Sequence, residues 1–397
     1  MRVVLSYSGG LDTTVSVSLL REKLGAEVIT VTVDVGQDED FASIEERALK
    51  AGSVKHYTID SVKEFAENYI SKCILMNGLY EEKYPLGTAL ARPLIAKKLV
   101  EIAWREGADA VAHGSTSKGN DQVRFDLTVL ALDDSKKILT PVRKWRLTRE
   151  WETEYARSKG LPVEEKRTVY SIDENLWSRS IEGGPLDDAS SFPPEEAYKW
   201  TTSSEKAPDQ PEIVDITFEN GLPTSLNGKK MSLHDLVKKL NLIGGKHGVG
   251  RIDHIENRLV GLKSREVYEA PAALILIEAH KDLEKLVYTP RELRFKRLCD
   301  TMWSDLVYQG LWIEPLREEL EILGTTLNRW VKGRVWVKLY KGSMIIVGRE
   351  GEYSLYSKER ASYDTGWYPT EEEAVGFIKL WGLHSLEAVR VRGAKLS

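Results

Sequence analysis

The chain has 397 residues, of which 42% are hydrophobic and 29% charged, and its formal net charge is −5 at pH 7. This is the composition of a soluble globular protein of two or three domains, and it excludes a polycationic nucleic-acid binder. The two cysteines, Cys73 and Cys299, lie too far apart for a disulfide framework, which favours a reducing, cytoplasmic setting. The longest apolar run, Ala272–Ile277, is far shorter than the ~20 residues of a membrane span, so no membrane partner is expected.

Strand-like and helical segments alternate through the first part of the chain. Strands are predicted at Val3–Leu5, Val28–Val35, Val54–Asp60 and Ala110–Ala112, with helices at Asp12–Lys23, Asp40–Ala51, Val62–Tyr69 and Ala91–Glu106. This alternation predicts βαβ units and a parallel sheet that is buried on both faces. The loops that follow the strands then meet at one edge of the sheet, where we expect the site: Ser8–Asp12, Asp34–Asp38 and Gly114–Asp121.

The second part of the chain differs from the first in composition and in the pattern of its predicted elements. Gly183–Pro211 is rich in proline and is predicted to be irregular, and Ile213–Phe218 reads as a strand. Val335–Leu339 and Ser343–Val347 predict a hairpin that turns at Lys341 and Gly342. Mixed helices and hairpins of this kind favour an α+β domain.

Two capping boxes mark helix starts in this part. Thr289 with Glu292 predicts a helix that runs to about Gln309, and Thr370 with Glu373 predicts a last helix that ends near Leu380. The chain is therefore expected to be α/β: a parallel-sheet, Rossmann-like domain, then an α+β domain and a C-terminal helix. The predicted bounds of these three parts are 1–165, 166–365 and 366–397.

The segment Ser8-Gly9-Gly10-Leu11-Asp12-Thr13-Thr14 is the strongest chemical signal. Two glycines allow φ > 0, so that successive backbone N–H groups can surround an anion, and the helix that follows adds the positive end of its dipole. A capped helix start would use the same residues. The segment lacks the Gly-Lys-Ser/Thr of a Walker loop, and the G-x-G-x-x-G of a dinucleotide fingerprint is also absent.

Other candidates have ordinary structural readings. Arg124 lies close to Asp121 and Asp126 and would commonly form a plain ion pair. His113 and His247 have no partner at metal-ligand spacing, which favours structural roles. The glycine-rich stretch 244–250 is read either as a turn or as a second phosphate loop.

The first loop resembles the PP-loop of ATP pyrophosphatases, which cleave ATP between the α- and β-phosphates. Further blocks, in the same order along the chain, resemble the argininosuccinate synthase family: Gly87–Thr88, Leu90–Pro93, His113–Gly114, Lys118–Phe125, Asp173–Leu176, Gly245–Asp253, Glu256–Arg258, Lys263–Arg265 and Tyr268–Glu269.

The resemblance implies an ATP-dependent ligase of arginine biosynthesis. Citrulline would attack the α-phosphorus of Mg²⁺-bound ATP to give citrullyl-AMP and diphosphate, and the amine of aspartate would then displace AMP. No protein metal site and no nucleic-acid partner are implied, and the family relation implies a homotetramer in which the C-terminal helix wraps a neighbouring subunit. Phe377, Leu380 and Trp381 would form the apolar stripe of that helix, although packing on its own chain is an alternative.

The resemblance also assigns roles residue by residue. ATP would be bound by Ser6, Tyr7, Ser8, Gly9, Gly10, Leu11, Asp12, Thr13, Thr14, Val33 and Gly114. Aspartate would be bound by Thr116, Asn120 and Asp121, and citrulline by Tyr84, Thr88, Asn120, Arg124, Ser171, Ser180, Glu256 and Tyr268. The catalytic set would be Asp12, Asn120 and Arg124. Two positions depart from the family pattern, which commonly has Ala where this chain has Val33 and Ser where it has Ala89.

Two rival functions remain open at this point. One is another PP-loop enzyme, a tRNA-modifying thiolase or an amidating ligase, but neither cysteine lies in a predicted edge loop and the net charge is negative. The other is a module that senses ATP without turning it over. Such a module would not need the segments around Asn120, Arg124 and Tyr268.

Overall fold

The computed structural model describes residues 1–163, 169–362 and 369–393. The chain divides into two compact units, Met1–Tyr353 and Ser354–Ser397. Both predicted domain boundaries, after residues 165 and 365, lie outside the described residues and stay predictions.

A parallel five-stranded sheet forms the first part of the larger unit, as the alternation predicts. Its strands are β1 (Arg2–Ser6), β2 (Glu27–Asp34), β3 (Lys55–Asp60), β4 (Ala110–Ala112) and β5 (Lys137–Leu139), in the order β3-β2-β1-β4-β5. The chain winds outward in both directions from β1, so a crevice opens beyond the carboxyl ends of β1 and β4. Ligands of open α/β sheets bind at such a switch point.

Helices cover both faces of this sheet: α1 (Leu11–Leu24), α2 (Phe41–Lys50), α3 (Val62–Phe65), α4 (Ser71–Leu75), α5 (Gly87–Arg105), α6 (Asp121–Leu132), α7 (Pro141–Lys144) and α8 (Arg149–Ser158). On one face, α1 and α2 pack against Val3 and Leu5 of β1. On the other face, α5 and α6 share a core with Val4 of the same strand. Burial on both faces explains why the central strands β1, β2 and β4 read as mostly apolar runs instead of alternating patterns.

Two predicted helices have different bounds in the structure. The helix predicted to begin at Ala91 begins at Gly87, because the hydroxyl oxygen of Tyr84 accepts hydrogen bonds from the backbone N–H groups of Thr88 and Ala89 at 2.9 and 3.4 Å. The helix predicted to end at Tyr69 passes through a π-helical turn at Ala66–Ile70 and continues into α4. The Tyr84 cap is local in sequence but is not one of the common capping motifs, and the π turn has no local sequence signal.

Antiparallel sheets and helices make up the remainder of the larger unit, as expected for an α+β region. The strands are β6 (Ser171–Glu174), β7 (Arg179–Glu182), β8 (Glu212–Glu219), β9 (Leu222–Leu226), β10 (Lys229–Lys230), β11 (Arg251–Asn257), β12 (Lys263–Glu269), β13 (Gly333–Tyr340) and β14 (Ser343–Gly351). They form two sheets with the orders β11-β12-β7-β6 and β10-β9-β8-β13-β14. The helices are α9 (Leu233–Lys246), α10 (Pro271–Val287), α11 (Pro290–Tyr308) and α12 (Pro315–Asn328).

Local signals in this part are confirmed. Lys341 and Gly342 both have positive φ, at 47° and 85°, which is the geometry of a two-residue hairpin turn between β13 and β14. The capping box at Thr289 starts α11 as predicted. Between β7 and β8 the chain forms only two short 3₁₀ turns, Gly184–Asp187 and Glu195–Ala197, so the proline-rich stretch is irregular.

The smaller unit contains α13 (Lys358–Ala361) and α14 (Glu371–Arg392). The capping box of Thr370 and Glu373 is present, but α14 runs twelve residues beyond the predicted end at Leu380. Residues after Gly382 include the good helix formers Leu383, Leu386, Glu387, Ala388 and Arg390, and Glu387 with Arg390 adds an ion pair three residues apart on the helix. Gly382 therefore does not end the helix.

Candidate active site

A cleft of about 1320 Å³ opens at the carboxyl edge of the parallel sheet. Its walls come from the loops after β1, β2 and β4, from the first turns of α5 and α6, and from the sheet that contains β6, β7, β11 and β12. Of the residues predicted for the site, these line it: Ser6, Tyr7, Ser8, Gly9, Gly10, Leu11, Asp12, Thr13, Val33, Tyr84, Thr88, Gly114, Thr116, Asn120, Asp121, Arg124, Ser171, Ser180, Glu256 and Tyr268.

The loop after β1 has the geometry of an anion site. Gly9 has φ +73°, and a Cβ there would lie 3.0 Å from the guanidinium of Arg47 and 3.2 Å from Ile44, so any other residue would be strained and crowded. Gly10 is the N-cap of α1 and no side chain caps the helix, which leaves the first-turn N–H groups directed at the cleft. The hydroxyls of Ser8 and Thr13 lie 3.3 Å apart beside this turn.

Thr14 is the predicted residue that does not line the cleft. It is fully buried, and its hydroxyl lies 2.9 Å from the hydroxyl of Tyr7. That contact holds Tyr7, at the start of the loop, against the first turn of α1. The geometry therefore makes Thr14 a support for the loop instead of part of its open surface.

Loops from the neighbouring strands approach this turn. At Gly114, after β4, a Cβ would lie 3.2 Å from the methyl group of Thr13, so glycine permits the close approach. Val33, near the end of β2, is buried, and its carbonyl accepts a hydrogen bond of 3.0 Å from the side-chain amide of Gln37. Three strand ends thus converge on one position, as the topology predicts.

Asp12 and Glu152 place two carboxyl groups beside the loop. Glu152, on α8, has a side chain that is 3% exposed, and its Oε1 has no hydrogen-bond partner in the described ranges of the chain. Burial, together with the charge of Asp12, raises the pKa of Glu152 to about 8. From the same helix, Arg149 and Arg157 also line the cleft, and the charge of Arg149 acts on the Glu152 carboxyl group.

The other end of the cleft is built around Glu256, which lies on β11 and is 4% exposed. Its two oxygens accept hydrogen bonds from the hydroxyls of Tyr268, at 2.6 Å, and Tyr308, at 2.7 Å. Tyr84 stacks on the Tyr268 ring with 4.5 Å between centroids. Burial and the Glu256 carboxylate raise the pKa of the Tyr268 hydroxyl well above its ordinary value, so this hydroxyl stays a donor.

Between the two ends, Asp121 and Arg124 lie at the start of α6. The Arg124 guanidinium is almost fully buried; its Nη1 donates to Asp121 at 3.0 Å, and its Nε and Nη2 donate to the carbonyl of Tyr308 at 3.3 and 2.9 Å. Three of its five N–H donors are thereby committed, and two are left for a ligand. Burial disfavours ionisation of Asp121, but the guanidiniums of Arg92 and Arg124 outweigh it and lower the pKa of Asp121.

The remaining predicted residues complete this region. Asn120 precedes α6, and its side-chain oxygen accepts a hydrogen bond of 3.0 Å from the backbone N–H of Leu259. Ser180 faces Tyr268 in the β7–β12 ladder, and its hydroxyl donates to the carbonyl of Asp173 at 3.4 Å. Thr116 and Ser171 are exposed on the rim of the cleft.

An acidic pair lines the wall next to Glu256. Arg258 forms ion pairs with both Glu182 and Glu266. Burial, reinforced by the carboxylates of Glu182 and Glu256, raises the pKa of Glu266 to about 8 despite the neighbouring guanidinium. Glu266 was not predicted from the sequence. The alternation of side chains along its strand, which points Glu266 into the cleft, is the single local signal for it.

Other sequence candidates lie outside the site or serve the fold. Residues 244–250 do not line the cleft, and a Cβ at Gly245 would lie 2.1 Å from the carbonyl of Trp200, so the glycines there allow close backbone packing and the second phosphate loop is excluded. His113 is buried and its Nε2 lies 2.7 Å from the carboxylate of Asp126. No group of three or more metal-ligating side chains occurs in the described residues. Within those residues, no helix is long and apolar enough to cross a membrane.

Comparison with known proteins finds family models and relatives that match along nearly the whole chain. A family model described as the arginosuccinate synthase N-terminal HUP domain matches residues 2–162, and one described as the arginosuccinate synthase C-terminal domain matches residues 170–388. The chain is 65% identical to an argininosuccinate synthase of Pyrobaculum aerophilum over 98% of its own length and 99% of the relative's. It is 64% identical to that of Hyperthermus butylicus, over 99% of each chain. With the enzyme of Saccharolobus solfataricus the identity is 61%, over 99% of this chain and 100% of the relative.

These matches confirm the resemblance that the motifs indicate. They cover both ends of the cleft, namely the loop after β1 and the region around Glu256. They also remove the rival assignments to a thiolase, an amidating ligase and a sensor module, since the similarity extends along the full chain to one kind of enzyme. The chain belongs to the argininosuccinate synthase family.

Proposed function

We propose that the cleft binds ATP at the loop after β1 and the two amino acids around Asp121 and Glu256, and that its residues carry out both steps of the ligation. As a member of this family the chain is an ATP-dependent ligase of arginine biosynthesis, which joins citrulline and aspartate into argininosuccinate. The observation that supports the site assignment is the shared cleft, in which an anion-binding turn and a buried carboxylate with two tyrosine donors face one space.

The first step needs a strong leaving group, because a ureido oxygen is a weak nucleophile. That oxygen attacks the α-phosphorus, the bond to the β-phosphate oxygen breaks, and diphosphate leaves as citrullyl-AMP forms. The uncapped N–H groups of α1 and the positive end of its dipole stabilise the charge that develops on diphosphate. Arg149 and Arg157 add positive charge along the wall formed by α8.

The side chains beside the loop fit a Mg²⁺ ion that arrives with ATP. Mg²⁺ is commonly held by one or two carboxylates together with phosphates and water, and the two carboxyl groups of Asp12 and Glu152 supply this donor type next to the loop. The two carboxyl groups interact with each other, and a cation beside them would relieve their repulsion. When bound, the ion would neutralise charge on the transferred and leaving phosphates.

The Glu256 end has the character of a site for an α-amino acid head group. The Glu256 carboxylate is oriented by two hydroxyls and is available to an ammonium group, and the two uncommitted N–H donors of Arg124 suit a carboxylate. Thr88, Ser171 and Ser180 add hydroxyl groups to this region. We assign citrulline to this end.

In the second step the aspartate amine attacks the activated ureido carbon, and AMP leaves with the electron pair of the carbon–oxygen bond. Asp121 is held ionised by two guanidiniums, and with Asn120 and Thr116 it lines the stretch between the two ends of the cleft. We assign aspartate to this stretch. The residues then act by positioning and charge stabilisation, which needs no covalent enzyme intermediate.

Isotope labelling tests this assignment of the intermediate. Citrulline that carries ¹⁸O in its ureido oxygen should transfer the label to AMP, because that oxygen becomes the bridge to phosphorus. Label that appears in free water or stays out of AMP would contradict attack by the ureido oxygen. A sample without aspartate is the control, since it should release diphosphate and form little free AMP.

We further propose a homotetramer in the cytoplasm, with small molecules as its ligands and neither nucleic acid nor membrane as a partner. Every described residue of α14 that carries a large apolar side chain is partly or fully exposed in the single chain, with Leu380 at 75% and Trp381 at 79%. Phe377 stacks on Trp381 with 5.5 Å between centroids, so the apolar side chains form one stripe. A stripe of this size is typical of a surface that a partner covers.

A further inference from the structure

Arg92 bridges two carboxylates that belong to different parts of the cleft. It lies in the second turn of α5, and its Nε donates to Asp121 Oδ2 at 2.8 Å while its Nη2 lies 3.0 Å from Asp173 Oδ1. Asp121 begins α6 and Asp173 lies on β6, so the guanidinium joins the nucleotide-binding part to the antiparallel sheet. All three side chains line the cleft.

The second oxygen of each carboxylate is also engaged by a side chain of the cleft. Asp121 Oδ1 accepts from Arg124, and Asp173 Oδ2 accepts from the hydroxyl of Thr88 at 2.6 Å. The result is a continuous chain of contacts from Thr88 through Asp173, Arg92 and Asp121 to Arg124. Arg92 is the member that contacts both carboxylates, and each of its two contacts reaches a different proposed subsite.

An ordinary surface ion pair would differ from this arrangement. The Arg92 side chain is 17% exposed, and the side chains of its partners Asp121 and Asp173 are 28% and 31% exposed. A planar guanidinium can hold two carboxylates at a fixed separation, whereas an ammonium group is a single point of charge. Arg105, at the end of the same helix, is exposed and lies over the Tyr57 ring far from this chain of contacts.

We propose that Arg92 is a positioning residue that couples the aspartate subsite to the citrulline subsite by holding Asp121 and Asp173 at a fixed separation. This inference rests on the proposed function, because it takes Asp121 as part of the aspartate subsite and Thr88 and Ser180 as part of the citrulline subsite. Arg92 acts through these carboxylates and is not itself assigned contact with a substrate.

Steady-state kinetics of Arg92→Met and Arg92→Lys test the proposal, with Arg105→Met as the matched control. Loss of the bridge should raise the KM for aspartate and the KM for citrulline by about tenfold each, while the KM for ATP stays within about twofold. Arg92→Lys keeps the charge but not the fork, so it should recover one of the two KM values and not both. Melting temperatures identify a variant that is unfolded, and Arg92→Lys decides the question if Arg92→Met does not fold.

A double-mutant cycle separates coupling from simple loss of structure. Asp173→Asn should raise the KM for aspartate about fivefold in the parent, although Asp173 belongs to the citrulline side, and should change it little in the Arg92→Met background. An equal effect of Asp173→Asn in both backgrounds would overturn the proposal, as would an Arg92→Lys variant with both KM values restored. A parent that forms no argininosuccinate would instead contradict the proposed function, before any variant is compared.

Discussion

Arg124 shows how a single side chain is prepared for a ligand before the ligand arrives. Its fork donates to the carbonyl of Tyr308 and to Asp121, which fixes the guanidinium plane inside the cleft. Lysine at this position would keep the charge but lose the fixed plane and the paired donors. The Arg124 side chain is therefore expected to determine citrulline binding through geometry as well as charge.

Arg124→Lys should raise the KM for citrulline by about tenfold, because the paired contact is lost, and leave the KM for ATP nearly unchanged. Initial rates with each substrate varied in turn measure both values, and Arg105→Lys provides a control on an exposed arginine of the neighbouring helix. Equal losses for citrulline and ATP would indicate that Arg124 supports the fold instead of the ligand.

Glu266 provides a pH-dependent prediction at the same scale. Its folded-state pKa of about 8 lies above the ordinary glutamate value of 4.5, so the folded protein holds a proton that the unfolded chain has released. A carboxyl group of this kind lowers stability progressively as pH rises through that interval, because ionisation then favours the unfolded state.

Glu266→Gln removes this effect, so its melting temperature should fall less between pH 5 and pH 8 than that of the parent. Differential scanning calorimetry without substrates measures the difference, and Glu154→Gln, at an exposed position of α8, serves as the control. Identical pH dependence in Glu266→Gln and the parent would mean that Glu266 is ionised throughout this range.

At the scale of elements, the turn between β1 and α1 combines a backbone requirement with the proposed binding of ATP. Gly9 has φ +73° with Arg47 and Ile44 close by, whereas Gly25, at the C-cap of the same helix, has φ +58° with open space around it. An alanine at either position carries the backbone strain, about 1 kcal/mol. Only the alanine at position 9 would also disturb the loop at the phosphate end.

Gly9→Ala should weaken ATP binding by about tenfold or more, and Gly25→Ala should leave ATP binding unchanged while lowering the melting temperature. Isothermal titration with a non-hydrolysable ATP analogue and Mg²⁺ distinguishes the two variants. Similar ATP affinity in Gly9→Ala and Gly25→Ala would contradict the role of this loop as the anion site.

Elements with a standard local motif were predictable from sequence, and those without one were not. The turn at Lys341 and Gly342 and the capping boxes at Thr289 and Thr370 specify their own geometry, and the structure confirms them. The early start of α5 depends on the Tyr84 hydroxyl, which caps the helix from three residues before its first residue in a geometry that none of the common capping motifs describes.

The residues of the cleft also divide into those that a sequence motif indicates and those whose roles depend on contacts between elements. The Ser8–Thr14 loop and the block from Asn120 to Arg124 stand out as motifs, and the family resemblance supplies Tyr84, Glu256 and Tyr268. Arg92 lies in a family block but was given no role, and Tyr308 was missed. Their roles come from partners on other elements: Arg92 lies between two acids, and the Tyr308 hydroxyl reaches a strand Glu. Sequence patterns report such residues only as helix surface or core.

At the scale of the whole molecule, the C-terminal helix carries the assembly prediction. α14 has no buried residue, and its apolar stripe includes Phe377, Leu380 and Trp381. Deletion of residues 370–397 should convert a tetramer into a smaller species, which multi-angle light scattering would detect as a fall in mass. Leu380→Asp with Trp381→Ser in the full chain is the companion variant, and an unchanged mass in both would remove the proposed assembly role of this helix.

The central claim is that one cleft activates citrulline with ATP and then transfers it to aspartate. The most direct measurement is release of diphosphate and AMP from Mg²⁺–ATP, with citrulline and aspartate omitted in turn. We expect that diphosphate release requires citrulline and that argininosuccinate forms only when aspartate is added. Diphosphate release without citrulline, or tight ATP binding with no diphosphate under any combination, would contradict it.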